Sequence, residues 1–333
     1  MAASPDVSIV MPVFNAEQWV AGGLATALAQ THASLEVICV DDASTDRSVD
    51  IVRCLQVQDP RVRLLHQPRN LSPFQARGRA ITVARAPFTL FLDADDELES
   101  EAVESVLRAA RSAEADVVGF GVSVLDPAGE TLGGYQTRLQ PPHEELRGEE
   151  ILRSFFSVEK PAQGQLWRYL FRTELLRASY AALPQGVELY RAEDLPITFL
   201  SLAAAERYTY VAENLYRYHF RRGGSGQTIA ELSQFTYYAG ALRSVDALST
   251  AMESFTEKRQ DKDVISALFS SIRTSILANV LGYVKDIEDP RLLHECIAAL
   301  TADASHDELR AATETVPGTY ELLTRHGYIV HTD

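Results

Sequence analysis

Four short apolar runs, separated by helical stretches, fill the first hundred residues. Val7–Val13 (VSIVMPV), Leu35–Val40 (LEVICV), Val62–Leu65 and Phe88–Leu92 (FTLFL) read as buried strands. Between them, Ala16–Gln30, Val49–Leu55 and Phe74–Ala84 read as helices. Trp19, Leu24 and Leu28 share one side of the first, and Ser44-Thr45-Asp46 offers caps ahead of the second. Short apolar strands alternating with helices predict an α/β fold with a mostly parallel sheet covered on both faces. Such open sheets bind ligands beyond the C-terminal ends of their strands. Here those ends are Phe14-Asn15, Asp41-Asp42 and Asp93-Ala94-Asp95. Polar residues therefore collect where a site is expected.

The later chain has two textures. Gly119–Pro142, rich in Gly, Pro and Tyr, reads as hairpins or loops. Glu149–Phe156 and Leu175–Ala182 read as helices, and Tyr208–Phe220 as a strand closed by Arg221-Arg222-Gly223-Gly224-Ser225-Gly226. From about residue 228 the apolar residues Val264, Ile265, Leu268, Phe269, Ile272, Ile276, Val280 and Val284 recur at helical spacing. More helices follow at Pro290–Leu300 and Asp307–Thr315. The expected division is an α/β part over 1–227 and an all-helical part over 228–333.

Charge narrows the function. The net charge of −15 opposes a nucleic-acid binder that works through a basic stripe. No Lys precedes Lys160, which excludes a Walker A lysine in the N-terminal half. No run reaches the ~18 continuous apolar residues of a membrane helix, and Met1–Asp6 has no secretory-signal pattern. Cys39, Cys54 and Cys296 are too few and scattered for a disulfide framework, so a reducing, cytoplasmic setting is expected.

Several constellations carry chemistry, each with a plainer structural alternative. Asp93-Ala94-Asp95-Asp96 puts three carboxylates within four positions. Like charges this close are unfavourable unless a cation neutralises them, and Mg²⁺ is often held by one or two carboxylates plus substrate phosphates. The alternative is an acidic approach to the helix beginning near Ser100. Asp42 can accept from an imide N–H such as that of uracil, while Ser44 or Asp46 caps. Pro12-Val13-Phe14-Asn15 is either a stacking wall or a strand-to-helix turn. Trp167 suits a sugar face or a core. Arg222 can pair with diphosphate oxygens, with the following glycines as a hinge. His219 could add a metal ligand or be structural. Asp194, before Leu195-Pro196, also suits a helix N-cap.

Taken in order, Pro12-Val13-Phe14-Asn15, Val40-Asp41-Asp42-Ala43-Ser44-Thr45-Asp46, Ala76-Arg77-Gly78 and Phe91-Leu92-Asp93-Ala94-Asp95-Asp96 resemble family 2 glycosyltransferases. The likeness covers roughly residues 7–100 and continues more weakly through Glu193-Asp194 and Tyr216–Ser225. It implies a GT-A fold, with a nucleotide-sugar half over about 1–100 and an acceptor-side half over about 101–227. It also implies a UDP-linked donor, Mn²⁺ or Mg²⁺, and transfer with inversion. Pro12 and Phe14 would border the base, Asp42 would bind uracil, and Arg77 would contact base or phosphates. Asp93 and Ala94 would touch the donor, Asp95 the metal, and Asp194 would be the general base with Glu193 as fallback. Trp167 lies in a segment often written Trp-Asn-Lys-Leu-Tyr-Arg, here with Arg168-Tyr169, and is assigned to the acceptor, a glycan or polymer hydroxyl. Ala-Arg-Asn is common where this chain has Ala76-Arg77-Gly78.

Two rival readings remain at this level. A nucleotidyltransferase would need a Gly-rich basic signature near its N-terminus, which Pro12–Glu17 lacks. A non-catalytic assembly protein of a glycan-synthesis complex would keep the fold while the helical part did the work, and Asp93-Ala94-Asp95 and Glu193-Asp194 argue against it. Self-association through the helical part, and placement at the inner face of the membrane through a partner, are compatible with the sequence.

Overall fold

The computed structural model describes residues 4–156, 164–222, 229–257 and 259–328. The chain opens with β1 (Val7–Val13), α1 (Val20–Leu28), β2 (Leu35–Asp41), α2 (Ser48–Gln58), β3 (Val62–His66), α3 (Pro73–Val83) and β4 (Phe88–Phe91). Every residue of β2 and β4 is buried, as is all of β1 except Pro12, so these runs can only sit inside a sheet covered on both faces. There follow β5 (Glu97–Leu98), α4 (Ala102–Ala113), β6 (Val117–Leu125), α5 (Gly133–Leu139), β7 (Leu146–Arg147) and α6 (Glu149–Phe155). Then come β8 (Tyr169–Arg172), α7 (Thr173–Ala182), α8 (Asp194–Ala204) and β9 (Arg207–His219).

The nine strands form one sheet in the order β3-β2-β1-β4-β8-β6-β9-β5, with β7 also on β9. β3, β2, β1 and β4 are mutually parallel, with Val7 opposite both Leu35 and Phe88. The second half is mixed: β8 runs antiparallel between β4 and β6, while β6 and β9 pair in parallel across an irregularity at Phe120–Val122. The first part of the segment read as loops, Gly119–Pro142, is instead the strand β6, followed by α5. Its glycines hid it. A Cβ at Gly119 would collide with the Tyr208 hydroxyl, so the strand needs glycine at a position where glycine ordinarily weakens one.

The remainder is helical: α9 (Leu232–Ala239), α10 (Ala241–Thr256), α11 (Lys262–Val284), α12 (Pro290–Asp303), α13 (His306–Thr313) and α14 (Thr319–Arg325). The main core runs straight past residue 227. Val245, Leu248 and Met252 of α10 and Ile265, Leu268 and Ile272 of α11 belong to the same buried cluster as the sheet. A second cluster joins α9, the C-terminal half of α11, and α12 to α14. By length and composition α11 is apolar enough to cross a membrane. Here eight of its residues are buried, three in the first cluster and five in the second.

The loop after β4 rests on α1. A Cβ on Gly23 would lie 2.8 Å from the Asp96 carbonyl oxygen and 3.3 Å from that of Ala94, whereas nothing lies within 4 Å of one on its neighbour Gly22. The two glycines of one helix should therefore respond oppositely. Gly22→Ala is expected to gain about 0.5–1 kcal/mol from helix propensity, and Gly23→Ala to lose about 1–3 kcal/mol by overpacking. Urea unfolding midpoints with unchanged slopes measure both.

Candidate active site

A cleft of about 980 Å³ opens where β1, β2 and β4 end. It is lined by eleven of the residues singled out from the sequence: Pro12, Phe14, Asp42, Arg77, Asp93, Ala94, Asp95, Trp167, Glu193, Asp194 and Arg222.

On the β1–β2 side, Phe14 is 49% exposed, an unusual state for a large apolar ring beside a cleft. The loop carrying it is latched to the loop after β2. Asn15 N–H donates to Ser44 Oγ (3.1 Å), and Asn15 Oδ1 accepts from Thr45 N–H (2.8 Å). Asp42 is buried and holds the approach to α3. Its Oδ1 accepts from Leu71 N–H (2.7 Å) and Gln67 Nε2 (3.2 Å), and its Oδ2 from Ser72 N–H (2.9 Å). A carboxylate has about four acceptor sites, so one site on Oδ2 remains. Ser72 then caps α3, with Pro73 at its first position, which sets Arg77 one turn in.

Arg77 is the hub. Its side chain is 4% exposed and meets three carboxylates: Asp93 Oδ1 at 2.7 Å, Glu193 Oε1 at 3.1 Å and Asp194 Oδ1 at 2.9 Å. These carboxylates hold its charge well above the ordinary arginine range in spite of burial. One guanidinium thus joins the end of β4 to the start of α8, across 116 residues of sequence between Arg77 and Glu193.

Asp194 is the first residue of α8, but its side chain does not cap that helix. Oδ2 accepts from Leu166 N–H at 3.2 Å. Oδ1, within ion-pair distance of Arg77, lies off the hydrogen-bonding direction and has no hydrogen-bond partner. Burial pushes this carboxyl up to about 7, and the Glu193 and Asp93 charges add to the rise while Arg77 opposes it. A carboxylate of that basicity can accept a proton near neutral pH.

The acidic run after β4 divides its labour. Asp96 is structural: buried, it accepts from the Tyr216 hydroxyl (2.8 Å) and from His219 N–H (2.8 Å). The same Tyr216 hydroxyl accepts from Asp93 N–H at 3.2 Å. Asp95 enters no ion pair among the described residues, and burial together with Asp93 pushes it up to about 6. Its carboxylate is a hard oxygen donor. No group of three or more His, Cys, Asp or Glu that could hold a metal occurs among the described residues. Asp93 and Asp95 line the same end of the cleft, and one or two carboxylates are what an ion completed by a diphosphate and water would need from the protein. His219 is absent from the cleft lining; its Nε2 lies 3.6 Å from Glu97.

Trp167 is 6% exposed and stacks on Tyr216 (4.9 Å) and Tyr218 (5.1 Å), so it both packs and borders the cleft. Arg222 donates to the Asp95 carbonyl (3.2 Å) and sits 4.4 Å over the Trp19 ring. The glycine hinge at Gly223-Gly224-Ser225-Gly226 lies outside the described residues.

Residues 8–165 match the model of glycosyl transferase family 2. EpsH of Bacillus subtilis (strain 168), described provisionally as a glycosyltransferase, is 26% identical over 319 residues, 94% of this chain and 88% of the relative. Over residues 8–165, just under half of its length, the chain carries the family 2 glycosyltransferase domain. Its fold is shared with S. aureus TarS 1-349 at TM-score 0.66 and 16% identity, over 98% of this chain and 94% of that one. The crystal structure of TarS 1-349 in complex with UDP-GlcNAc gives 0.64 at 17% identity over the same shares. The mannosyltransferase PcManGT from Pyrobaculum calidifontis, in complex with GDP-Man and Mn²⁺, gives 0.52 at 16% identity, over 98% of this chain and 85% of that one.

This glycosyltransferase holds strain around its cleft. Among the described residues, six non-glycine residues have positive φ. Five of them, Asn15, Ala43, Ser72, Ala192 and Arg221, line the cleft or adjoin residues that do. Nothing in an alanine announces such a conformation. Sequence reasoning also missed Tyr216, and the cleft-lining Tyr135, Arg138, Arg191, Tyr237 and Tyr283. The last five come from α5, the approach to α8, α9 and α11, so no local spacing marks them.

Arg77→Met would leave three carboxylates facing one another. It is expected to cost about 3–5 kcal/mol at pH 8, as for breaking a buried ion pair. The loss should shrink towards pH 5 as protons replace the guanidinium. Urea unfolding of both proteins at the two pH values measures it.

Proposed function

We propose that this glycosyltransferase moves a sugar from a UDP-sugar to a hydroxyl of a glycan or polymer acceptor, with inversion at the anomeric carbon. The observation that carries the reading is Asp194: a carboxylate of raised basicity, in the same cleft as the strand-end residues that suit a nucleotide diphosphate. The complex of TarS with UDP-GlcNAc supports a UDP donor, and the complex of PcManGT with GDP-Man and Mn²⁺ supports a divalent ion.

In this mechanism the base lies against Phe14 and Pro12, and the remaining acceptor site of Asp42 Oδ2 takes the uracil imide N–H. Asp93 and the backbone at Ala94 face the ribose and diphosphate, and Arg222 adds a positive charge at the same end. A cation held by Asp95 and the diphosphate, Mn²⁺ or Mg²⁺, would neutralise the charge that develops on the leaving group. Asp194 takes the proton of the acceptor hydroxyl as its oxygen attacks the anomeric carbon from the side opposite UDP. Arg77 is a positioning residue: it sets Asp194 and Glu193 relative to Asp93, and its engagement with all three leaves little of it for phosphate.

Asp194→Asn should lower kcat by about 10²–10⁴ while UDP affinity by calorimetry is kept. In the unmodified enzyme the rate should climb between pH 5 and 8 with an apparent pKa near 7, because the base must be deprotonated. A flat profile, or an active Asp194→Asn variant, removes Asp194 from the role.

Asp95 gives a second check. Its carboxyl titrates higher folded than its ordinary value of 3.8, so its charge opposes folding above about pH 6 and is harmless below about pH 4. With no divalent ion at pH 8, Asp95→Asn should stabilise the protein by about 1–2 kcal/mol, and the gain should vanish at pH 4. Mn²⁺ should add to the Tm rise that UDP alone gives in the unmodified protein and add nothing to it in the variant.

A further inference from the structure

Beyond the catalytic carboxylates the lining of the cleft changes character. Its acidic residues are Asp42, Asp93, Asp95, Glu193 and Asp194, all in the donor and transfer region. Away from them, among aliphatic and amide side chains, the wall carries aromatic and basic residues. Tyr135 and Arg138 come from α5, Arg191 from the approach to α8, Tyr237 from α9 and Tyr283 from α11. The two arginines stack on rings. Arg138 lies 5.0 Å over Tyr135, and Arg191 lies 4.7 Å from the Tyr238 ring and 5.9 Å from that of Tyr237. Tyr238 in turn packs on Tyr283 at 4.3 Å. Arg138 is exposed and enters no ion pair among the described residues, while Tyr237 is 39% exposed.

Ring faces suit the C–H surface of a sugar. The Arg138 guanidinium, stacked by its face, keeps its N–H edge for a carboxylate or phosphate, which it would bind in a fork, while Arg191, already hydrogen-bonded to Tyr237, adds its charge. The setting sharpens the point. A protein of net charge −15 repels anions over most of its surface, so a basic patch inside the cleft is a local exception.

We propose that this wall is an acceptor subsite for an anionic sugar unit, one bearing a carboxylate or a phosphate. The proposal rests on reading the cleft as a glycosyl-transfer site. It assigns the helical C-terminal region, through Tyr237 and Tyr283, a direct part in choosing the acceptor.

The test is direct binding, which needs no turnover. Calorimetry on the full chain compares a neutral maltohexaose, an oligogalacturonate hexamer and a maltohexaose phosphorylated on its primary hydroxyls, with UDP titrated separately. At least one anionic hexamer should bind tenfold or more tighter than the neutral one, with affinity falling as salt rises. The two anionic arms distinguish carboxylate from phosphate. Arg138→Gln, an exposed change that the fold should tolerate, should cut that anionic-to-neutral ratio at least tenfold. Tyr237→Ala should weaken all three hexamers. Equal binding of neutral and anionic hexamers, an unmoved ratio in Arg138→Gln, or binding only of an alkyl glycoside through its chain overturns the subsite. Absence of UDP binding in the unmodified protein overturns the donor reading instead, and the two failures are read in separate titrations.

Discussion

A single buried guanidinium holds this active site in one piece. Arg77 projects from α3, yet its charge is shared by Asp93 at the end of β4 and by Glu193 and Asp194 at the start of α8. Three carboxylates could not be gathered in a buried site without it, because each would meet the others across a medium that screens poorly. Burial raises the basicity of Asp194 towards neutral pH, and the neighbouring Glu193 and Asp93 charges add to the rise against the opposing pull of Arg77. Stability and reactivity are set by the same contact: the arginine keeps the carboxylates together and fails to satisfy all of them.

The fold of the first hundred residues was legible because buried parallel strands have no freedom in composition. Val7–Val13, Leu35–Val40 and Phe88–Leu92 each hold a single polar residue among apolar ones, and the residues that end them border the cleft. Pro12, Asp42, Asp93 and Asp95 could therefore be named from position alone, and the family resemblance added Asp194. What stayed hidden depends on contacts between distant segments. The strand β6 was masked because Gly119 is chosen by the Tyr208 ring that crosses it, a neighbour far away in sequence. The hub role of Arg77 was invisible for the same reason, since two of its three partners lie more than a hundred residues downstream. Ala43 and Ala192 adopt left-handed backbone with no glycine to signal it. The aromatic wall draws on four separate elements and shows no periodicity in any of them.

The expected boundary near residue 228 marks a change in secondary structure more than a change in packing. Sequence texture alters there because the sheet has ended. The side chains of α10 and the first half of α11 nevertheless complete the hydrophobic face that α8 presents, and they lie in the main core. A helical appendage that served only as a partner surface would have had its own closed core and a polar seam.

Helix α11 ties these parts together in a way that bears on cooperativity. Its N-terminal half is anchored in the core of the sheet and its C-terminal half in the second cluster, with no break over its 23 residues. An α-helix transmits axial and bending displacements over such a length, so neither cluster can loosen without dragging on the other. The enzyme should melt as one unit. Energy gained where the nucleotide binds would then be felt in α12 to α14, far from any contact with it.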